Sequence, residues 1–427
     1  MSSEASGERA ATADTPPRAL GVLATWRQTP GQARALLAGV FVSRLAGFLQ
    51  IFLVLFLTRR GYSAGQAGFA LGMYGAGGVV GTFAGGWLSD RLSARTATLI
   101  SMMGSAVLIA SIIYLRVYLL ILLAVLLVST VGLLYRPAAQ SLITELAPPG
   151  QLVMVTAMYR LCLNLGTTAA PLIGVALASV SYDLLFWAEA LAAMTYGLIA
   201  LLALPRRVRR AESSPQAARQ PRPGYLAVFA DWRYLVFLSA FLLVCIVYCQ
   251  YTVVLPLAIV HAGLTIWWYG AIVTLNAVIV VTCEVVATKF VQSWPLRLTQ
   301  LAGWSLLAIG YGIYAIGMVP VFLILGTLVW TLSEIIGAPT TYAYPGLIAP
   351  AQLRGRYFGA MQSMFGLGSA VGPILGVELF DHVGQRVWLW VAAVAVLATV
   401  VGRIGVRNPA AMPTPEPDPE PAAQAVG

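Results

Sequence analysis

Long apolar runs recur along almost the whole chain and constrain its fold more than any other feature. Between Ala35 and Val406, runs of roughly 20 residues rich in Leu, Val, Ala and Ile follow one another with only short polar segments between them. A helix of about 20 apolar residues is long enough to cross the hydrocarbon core of a bilayer, which is about 30 Å thick. We therefore predict an all-α integral membrane protein.

The composition supports this prediction. Hydrophobic residues make up 59% of the 427 residues and charged residues only 10%, whereas a soluble domain carries about 25% charged residues. Much of the surface must therefore face hydrocarbon, and the lipid bilayer is an expected partner. The basic residues lie between the apolar runs and do not cluster with aromatic residues on a solvated domain, so we expect no nucleic-acid partner.

Twelve candidate membrane spans can be marked, and Gly and Pro are frequent inside them. Spanning helices tolerate these residues because neighbouring helices can satisfy the freed backbone groups. The predicted spans are Ala35–Leu57, Gln66–Leu88, Thr96–Leu115, Tyr118–Ser141, Val153–Ser179, Tyr182–Leu204, Tyr234–Leu255, Ile266–Phe290, Leu296–Gly317, Val319–Ile336, Tyr357–Phe380 and Val387–Val406.

Basic residues are distributed unequally between the two sides of this arrangement. Seventeen of those near the membrane fall on the side of the N-terminus, against four on the other side, Arg59, Arg60, Arg116 and Arg386. Cytoplasmic loops of membrane proteins carry the excess of Lys and Arg. The pattern predicts a multi-pass protein of the cytoplasmic membrane with both termini in the cytoplasm.

A long polar segment divides the spans into two sets of six. It runs from Pro205 to Arg233 and has the composition of a flexible linker, while the polar, Pro-rich and acidic end of the chain is typical of disorder. The first apolar run begins after Arg34 and contains Arg44, which does not fit a cleaved signal peptide. The predicted organisation is a disordered cytoplasmic tail (1–34), a six-helix bundle (35–204), a cytoplasmic linker (205–233), a second six-helix bundle (234–406) and a disordered cytoplasmic tail (407–427).

The two sets of spans resemble each other at a constant offset of 202 residues. Leu165-Gly166 aligns with Leu367-Gly368, and the same offset continues downstream without a gap. Further aligned pairs are Pro171 with Pro373, Gly174 with Gly376, and Pro137 with Pro339. We predict two bundles related by an internal repeat, an arrangement in which transporters place their substrate site between the repeats.

The turn after the second span carries the strongest local motif. It reads Gly86-Trp-Leu-Ser-Asp90-Arg91-Leu-Ser-Ala-Arg95 and resembles the cytoplasmic signature between helices 2 and 3 of the major facilitator superfamily. Ser93 replaces a Gly of that signature, and the next position lacks its basic residue. The resemblance implies a twelve-helix transporter with alternating access.

The same resemblance implies a partner for this turn. Glycine lets two helices approach closely, and an acid can bind the positive N-terminus of another helix. In the family Asp90 would contact the start of the eleventh helix near Arg354 and Arg356 and would latch the outward-open state. The alternative is an ordinary charged turn.

The segment from Tyr135 to Gly150 resembles the end of helix 4 in drug-efflux members of this superfamily. By that resemblance Glu145 would pair with Arg91 or Arg95. Arg136 would face the central cavity and could assist proton release, since a buried Arg needs a partner or a watery pocket. Arg136 could instead extend to the inner surface.

Small residues in the fifth and eleventh spans resemble the antiporter motif of the efflux branch. The fifth span departs from the motif, because Ala170 and Val175 stand where it requires Gly. The residues allow tight packing and a bend, and packing alone would explain them. They are Gly166, Pro171 and Gly174, with the fuller version in Gly368, Gly372, Pro373 and Gly376.

Ionisable residues inside the spans are costly and are therefore candidates for function. They are Arg44, Arg160, Glu189, Glu284 and Glu334. Because burial disfavours the charged form of a carboxyl group, Glu334 and Glu189 are our leading candidates for proton coupling. Arg44 would keep one of them ionised or bind an anionic group of the substrate, and Glu284 would lie at the membrane interface. Structural ion pairs are the alternative for each.

The sequence offers no catalytic, metal or cofactor motif. Cys245 and Cys249 share a helix face, but no His or carboxylate stands at ligand spacing beside them, which favours small buried side chains over a metal site. No glycine-rich loop for ATP phosphates is found. We therefore expect neither an enzyme nor a bound cofactor.

Together these features predict a monomeric secondary transporter that exports a small amphipathic molecule, such as a drug, in exchange for protons. A proton-coupled importer of a nutrient on the same fold is the main alternative. A membrane sensor that transports nothing is a third.

Overall fold

A computed structural model describes residues 22–206 and 224–408, and all regular structure in these residues is helical. A 3₁₀ turn, Gly384–Arg386, joins the last two helices. The α-helices are α1 (Val22–Gln28), α2 (Gly31–Leu45), α3 (Phe48–Arg59), α4 (Ala64–Arg91), α5 (Ala94–Ile112), α6 (Tyr118–Gly132), α7 (Tyr135–Leu146), α8 (Leu152–Val180), α9 (Tyr182–Ala203), α10 (Tyr225–Ala230), α11 (Trp232–Tyr248), α12 (Gln250–His261), α13 (Trp267–Val291), α14 (Leu296–Ile316), α15 (Pro320–Ile348), α16 (Arg354–Val383) and α17 (Val387–Gly405).

These helices form twelve membrane spans, which confirms the predicted fold class. Ten stretches of the described residues are long and apolar enough to cross a membrane, and one of them, Arg354–Gly405, contains both α16 and α17. The 21-residue helix α14 completes the set. Three spans consist of two helices each, namely α2–α3, α6–α7 and α11–α12.

The spans divide into a first half, α2 to α9, and a second half, α11 to α17. One apolar core lies almost wholly within the first half, and the second half contains two apolar cores. The second half also has a buried aromatic cluster in which Trp330 Nε1 donates a hydrogen bond to Tyr314 Oη at 2.9 Å. Each half is therefore a packed unit of its own.

The two halves repeat the same helix crossing. Gly166 of α8 lies against the backbone of Arg44 and Leu45, and Gly368 of α16 lies against the backbone of Cys245 and its neighbour Ile246. One turn or two further on, Gly174 faces Phe48 and Phe52, and Gly376 faces Gln250 and Val254. The glycines that align at an offset of 202 residues thus occupy equivalent places.

The two ends of the bundle differ in what they contain. At one end, which we call the tail face, lie α1, the turn between α4 and α5, α10 and the end of α17. Thr25 Oγ1 donates to Gln151 Oε1 at 3.0 Å there, and Arg407 pairs with Asp231 at 2.9 Å. The opposite end, with the turn between α3 and α4, we call the loop face.

The structure differs from the predicted spans in where some helices end or break. α15 continues to Ile348, twelve residues past the predicted end at Ile336, and contains Pro339 and Pro345. A proline ends a helix in water more readily than in a bundle, where neighbours satisfy the freed carbonyl groups. The breaks near Gly47, Leu133 and Cys249 were not predicted either.

Two segments that we expected to lack structure are partly helical. Residues 22–28 form α1 within the predicted N-terminal tail, and Tyr225–Ala230 forms α10 within the predicted linker. The Tyr225 hydroxyl donates to the Phe83 carbonyl at 2.6 Å, so the end of the linker is anchored on α4. Residues 1–21, 207–223 and 409–427 of the predicted tails and linker lie outside the described residues.

Candidate functional site

A cavity of about 230 Å³ lies between the two halves near the middle of the spans. Arg44, Arg136 and Arg160 line it from the first half, and Glu334 lines it from the second half. The rest of the wall combines small, aliphatic and polar side chains with aromatic ones, among them Tyr159, Phe241, Tyr248, Tyr342 and Phe365. Its position between the repeats is that of a transporter substrate site.

Arg160 of α8 joins the halves through two ion pairs. Its Nε lies 2.5 Å from Glu284 Oε1 of α13, and its Nη2 lies 2.9 Å from Glu334 Oε1 of α15. The guanidinium also lies over the Tyr342 ring, 5.0 Å from the centroid. One side chain of the first half thus bridges two carboxylates of the second, and we call the three residues the charge cluster.

The charge cluster is almost completely removed from solvent. The side-chain exposures are 9% for Arg160, 0% for Glu284 and 10% for Glu334. Buried charges of this kind are stable only when they are paired and hydrogen-bonded. The expectation that Glu284 lies at the membrane interface is therefore wrong, because α13 crosses α8 at this residue and turns it into the protein.

Neutral polar side chains complete the charge cluster. Asn276 of α13 donates to Thr331 Oγ1 at 3.0 Å and to Glu334 Oε2 at 3.4 Å. Asn164 Nδ2 lies 3.4 Å from Glu284 Oε2. Each carboxylate therefore has a second partner besides Arg160, which fixes both oxygen atoms in place.

Arg44 stands at the end of α2, where its span breaks. Its Nη2 donates to the Tyr135 hydroxyl at 2.8 Å, and Tyr135 begins α7 at the break of another span. Gly166 of α8 lies against the Cβ and backbone of Arg44, so the helix crossing fixes this residue at mid-span. The positive side chain also suits the negative C-terminal end of α2.

Glu189 lies apart from the charge cluster, within the first half. A second cavity of about 360 Å³ is lined by Glu189, Arg44, Tyr74 and Gln50. Glu189 Oε2 accepts a hydrogen bond from the backbone N–H of Leu49 at 2.6 Å. That N–H belongs to the first turn of α3, which makes the break after α2 a site for a negative group.

At the tail face, Asp90 of α4 binds the beginning of α16. Its two carboxylate oxygens accept from Gly355 N at 2.8 Å, Arg356 N at 3.1 Å and Arg356 Nη1 at 3.1 Å. The first N–H groups of a helix have no partner within the helix, and Leu353 before α16 provides no side-chain cap. Asp90 therefore caps a helix of the other half.

Glycines bring α4 and α16 together on the same side. Gly86 lies against the backbone of Gly355, with the Tyr225 hydroxyl beside it. Thr82 and Ser363 share a hydrogen bond of 2.8 Å further along the crossing, and Gln362 Nε2 donates to Gln140 Oε1 at 3.1 Å across the halves. The tail face between the halves is thus closed.

The parts of α4 and α8 nearer the loop face are less covered. Side chains added at Gly68, Gly72 or Gly75 of α4 would meet nothing within 4 Å. In α8 the residues before Arg160 are mostly buried, and those from Pro171 onward are mostly exposed. In the described part of the chain, the contacts of Asp90 and Gly86 between the halves thus lie at the tail face.

The remaining residues of the turn after α4 have separate partners. Arg95 Nη2 donates to the Leu201 carbonyl at 2.5 Å, and the Arg91 guanidinium lies over the Trp87 ring at 4.7 Å from its centroid. The pairing of Glu145 with Arg91 or Arg95 stays a prediction.

The small residues of α8 and α16 act in helix packing. Gly372 lies against the side chain of Cys249, and its carbonyl accepts from Gln250 Nε2 at 2.9 Å. Pro171 and Pro373 stand inside these helices, in their halves nearer the loop face. Among the described residues, no group of three or more His, Cys, Asp or Glu side chains could hold a metal ion.

A family model described as "Major Facilitator Superfamily" matches residues 36–337 and 269–426. The chain belongs to this superfamily. It is thus a multi-pass membrane transporter and not an enzyme. As a superfamily member it works by secondary transport of a small molecule.

Curated relatives match over most of their length. The chain is 22% identical over 384 residues to "Uncharacterized MFS-type transporter YqjV" of Bacillus subtilis (strain 168), covering 88% of this chain and 93% of the relative. It is 27% identical over 326 residues to "Uncharacterized MFS-type transporter YhjO" of the same organism, covering 74% and 78%.

Solved structures show the same fold. The human organic anion transporter MFSD10 aligns with a TM-score of 0.67 at 17% identity, covering 91% of this chain and 100% of that chain. The proton:xylose symporter XylE aligns with a TM-score of 0.64 at 15% identity, covering 89% and 94%. At these identities the likeness concerns the fold alone.

Proposed function

We propose that this transporter exports a small amphipathic molecule from the cytoplasm in exchange for protons. The charge cluster carries the proposal, since Arg160 of the first half is bound to Glu284 and Glu334 of the second. Alternating access requires the halves to move against each other, and these ion pairs resist or permit that motion according to whether the carboxylates are ionised.

Glu334 is the first proton acceptor in this mechanism. It lines the cavity and retains some exposure, whereas Glu284 has none. Protonation of Glu334 removes one of the two charges that hold Arg160 and leaves the Glu284 pair as the remaining attraction. Glu189 is the second candidate and would act within the first half, through Arg44 and the beginning of α3.

The proposed orientation places the tail face in the cytoplasm, as the distribution of basic residues predicts. The cavity of the described state then opens to the outside, and protons enter from there. Capping of α16 by Asp90 stabilises this outward-open state. The mechanism thus couples proton entry to the return of the substrate-free carrier from the outward-facing to the inward-facing state.

The proposed direction of transport follows from sequence resemblance and not from the charge cluster. The segment from Tyr135 to Gly150 and the glycines of α8 and α16 resemble the efflux branch, and they favour export. An importer on the same fold would use the same charge cluster, so the direction has to be decided by experiment.

Proteoliposomes with an imposed pH gradient provide the test. Ethidium, a permanent cation, and carboxyfluorescein, an anion, serve as amphipathic probes. Accumulation of either probe in liposomes that are acidic inside indicates exchange for protons, and accumulation in liposomes that are acidic outside indicates symport. Protein-free liposomes correct for passive trapping.

Glu334→Gln should abolish accumulation of the probe driven by the pH gradient. The variant should still exchange probe between the two sides of the membrane when no pH gradient is imposed. Glu378→Gln is the matched control, because Glu378 is 73% exposed near the loop face of α16 and its ion pair among the described residues is with His382. If Glu334→Gln and Glu284→Gln both accumulate probe as the wild type does, the coupling mechanism is wrong. Uptake only into liposomes acidic outside would refute export.

A further inference from the structure

Arg44 and Arg136 bring positive charge to the cavity without an ion-pair partner among the described residues. Arg160 is bound by two carboxylates, but within residues 22–206 and 224–408 no carboxylate oxygen lies within 4.0 Å of either of the other two arginines. All three line the same cavity. An unpaired arginine is costly in the membrane interior and marks a substrate or ion pathway.

The structure holds Arg44 where it cannot extend to either surface. Its backbone is fixed by the crossing with Gly166, and its Nη2 is bound to the Tyr135 hydroxyl. Its Nε is buried and has no hydrogen-bond partner among the described residues. The guanidinium therefore keeps an unsatisfied buried N–H among the described residues, while the side chain lines the cavity.

Arg136 follows Tyr135 in the first turn of α7 and reaches the same cavity. The guanidinium groups of Arg44 and Arg136 thus line the same cavity, with Tyr135 next to both residues. Glu189 is the nearest candidate to neutralise Arg44, since both line the second cavity. Its carboxylate accepts a hydrogen bond from the Leu49 N–H at 2.6 Å. It attracts Arg44 only from beyond 4.0 Å, since no ion pair joins the two among the described residues.

The remaining wall indicates what kind of anion would fit. Aromatic side chains from both halves also line the cavity, and they suit a flat apolar group. The cavity volume of about 230 Å³ lies below the range of about 300–1,000 Å³ of pockets for drug-sized ligands. A substituted aromatic acid has the appropriate size.

We propose that the transported molecule is an amphipathic organic anion, with its carboxylate or sulfonate bound by Arg44 and Arg136 and its apolar part against the aromatic wall. This substrate class rests on the proposed transport function. Guanidinium groups suit the role because they bind planar carboxylates through paired N–H donors. The charge cluster remains a separate device, since Arg160 keeps its own carboxylates.

Equilibrium binding to the purified protein in lipid nanodiscs tests the proposal without a gradient. Three probes of the same shape are compared by calorimetry: 1-naphthoate, which is anionic, 1-naphthamide, which is neutral, and 1-naphthylmethylammonium, which is cationic. Naphthoate should bind at least about tenfold more tightly than the amide, because hydrogen bonds to charged groups are stronger than neutral ones.

Arg44→Gln and Arg136→Gln should each weaken naphthoate binding at least about tenfold and leave amide binding unchanged. Arg44→Lys should retain part of the preference for the anion, which also shows that the fold is intact. Arg60→Gln is the matched control, because Arg60 lies at the loop face and donates to the carbonyls of Ile113 and Leu115.

Equal binding of the three probes, tighter binding of the cation, or no binding of naphthoate would overturn the proposed substrate class. Binding is measured without a gradient, so its outcome does not depend on proton coupling. Glu334→Gln removes a negative charge from the cavity lining and should therefore bind naphthoate no more weakly than the wild type. If gradient-driven transport is lost while naphthoate binding is intact, the coupling mechanism has failed and the anion site has not. If naphthoate does not bind, the anion site has failed.

Discussion

Replacement of Asp90 by Asn should shift the balance between the two states of the transporter. The Asp90 carboxylate accepts three hydrogen bonds from the beginning of α16, two from backbone N–H groups and one from the Arg356 guanidinium. An amide has a single acceptor oxygen and directs its NH₂ group at another donor. The closed tail face therefore loses its cap, while the open state, where water solvates both groups, loses little.

The magnitude follows from the number and type of these bonds. A hydrogen bond to a charged group contributes about 1.5–3 kcal/mol net, and a carboxylate at a helix N-terminus adds about 0.3–1 kcal/mol. Asn retains one bond, water solvates the separated groups in the open state, and the contributions of neighbouring bonds do not add. We therefore take the value of one charged hydrogen bond, about 2 kcal/mol, which is about a 30-fold change in the equilibrium between the states.

Thiol alkylation measures this shift. The four native cysteines are first replaced by Ala, and Ser363→Cys is then introduced as the reporter. Ser363 is fully buried when the tail face is closed, and it contacts Thr82 of the other half. When opening is faster than alkylation, the rate is proportional to the open fraction. Asp90→Asn should therefore raise the alkylation rate about 30-fold, as worked out above.

Asp231→Asn is the matched control, because Asp231 also binds an Arg and a hydroxyl at the tail face. Its partners Arg407 and Tyr357 belong to the same half as Asp231 itself, at 2.9 and 3.0 Å. This change should leave the alkylation rate within about twofold of the wild type, since it removes no contact between the halves. Equal rates in the Asp90 and Asp231 variants would refute the role of Asp90 as a latch.

Two further changes test the packing. Gly86→Leu would drive a side chain into the backbone of Gly355; overpacking costs about 1–3 kcal/mol, so the Ser363→Cys reporter should react at least about tenfold faster, and an unchanged rate would contradict the close crossing. Trp330→Phe removes the hydrogen bond to Tyr314. The free energy of unfolding, measured in denaturant, should therefore fall by at least about 1 kcal/mol. An unaltered free energy of unfolding would show that this hydrogen bond does not contribute to stability.

The number of spans and the repeat could be predicted because they depend on local properties of the sequence. The length of an apolar run sets the length of a membrane helix, and two glycines at a fixed offset, such as Gly166 and Gly368, record equivalent crossings. The breaks within spans could not be predicted. The break at Gly47 has no proline to mark it.

The site was predicted in part. Arg44, Arg160 and Glu334 were predicted from the cost of burying charge, and Arg136 from the resemblance of its segment to helix 4 of efflux members. The structure brings all four to one cavity. The place of Glu284 was misjudged, because counting residues from a helix end gives its depth in the membrane but not the direction of its side chain. Its partner Arg160 is 124 residues away, and only the packing of α8 on α13 brings them together.

The repeated helix crossing has a consequence for how the charges are divided between the halves. The place that Arg44 occupies against Gly166 is occupied by Cys245 against Gly368 in the second half. Arg44, Arg136 and Arg160 of the first half and Glu334 of the second half line the central cavity, where Arg160 also binds Glu284 of the second half, while Glu189 lies apart in the second cavity. At the central cavity a duplicated scaffold has thus become specialised: one copy supplies the cations and the other the carboxylates, so that any movement that parts the halves there must also part opposite charges.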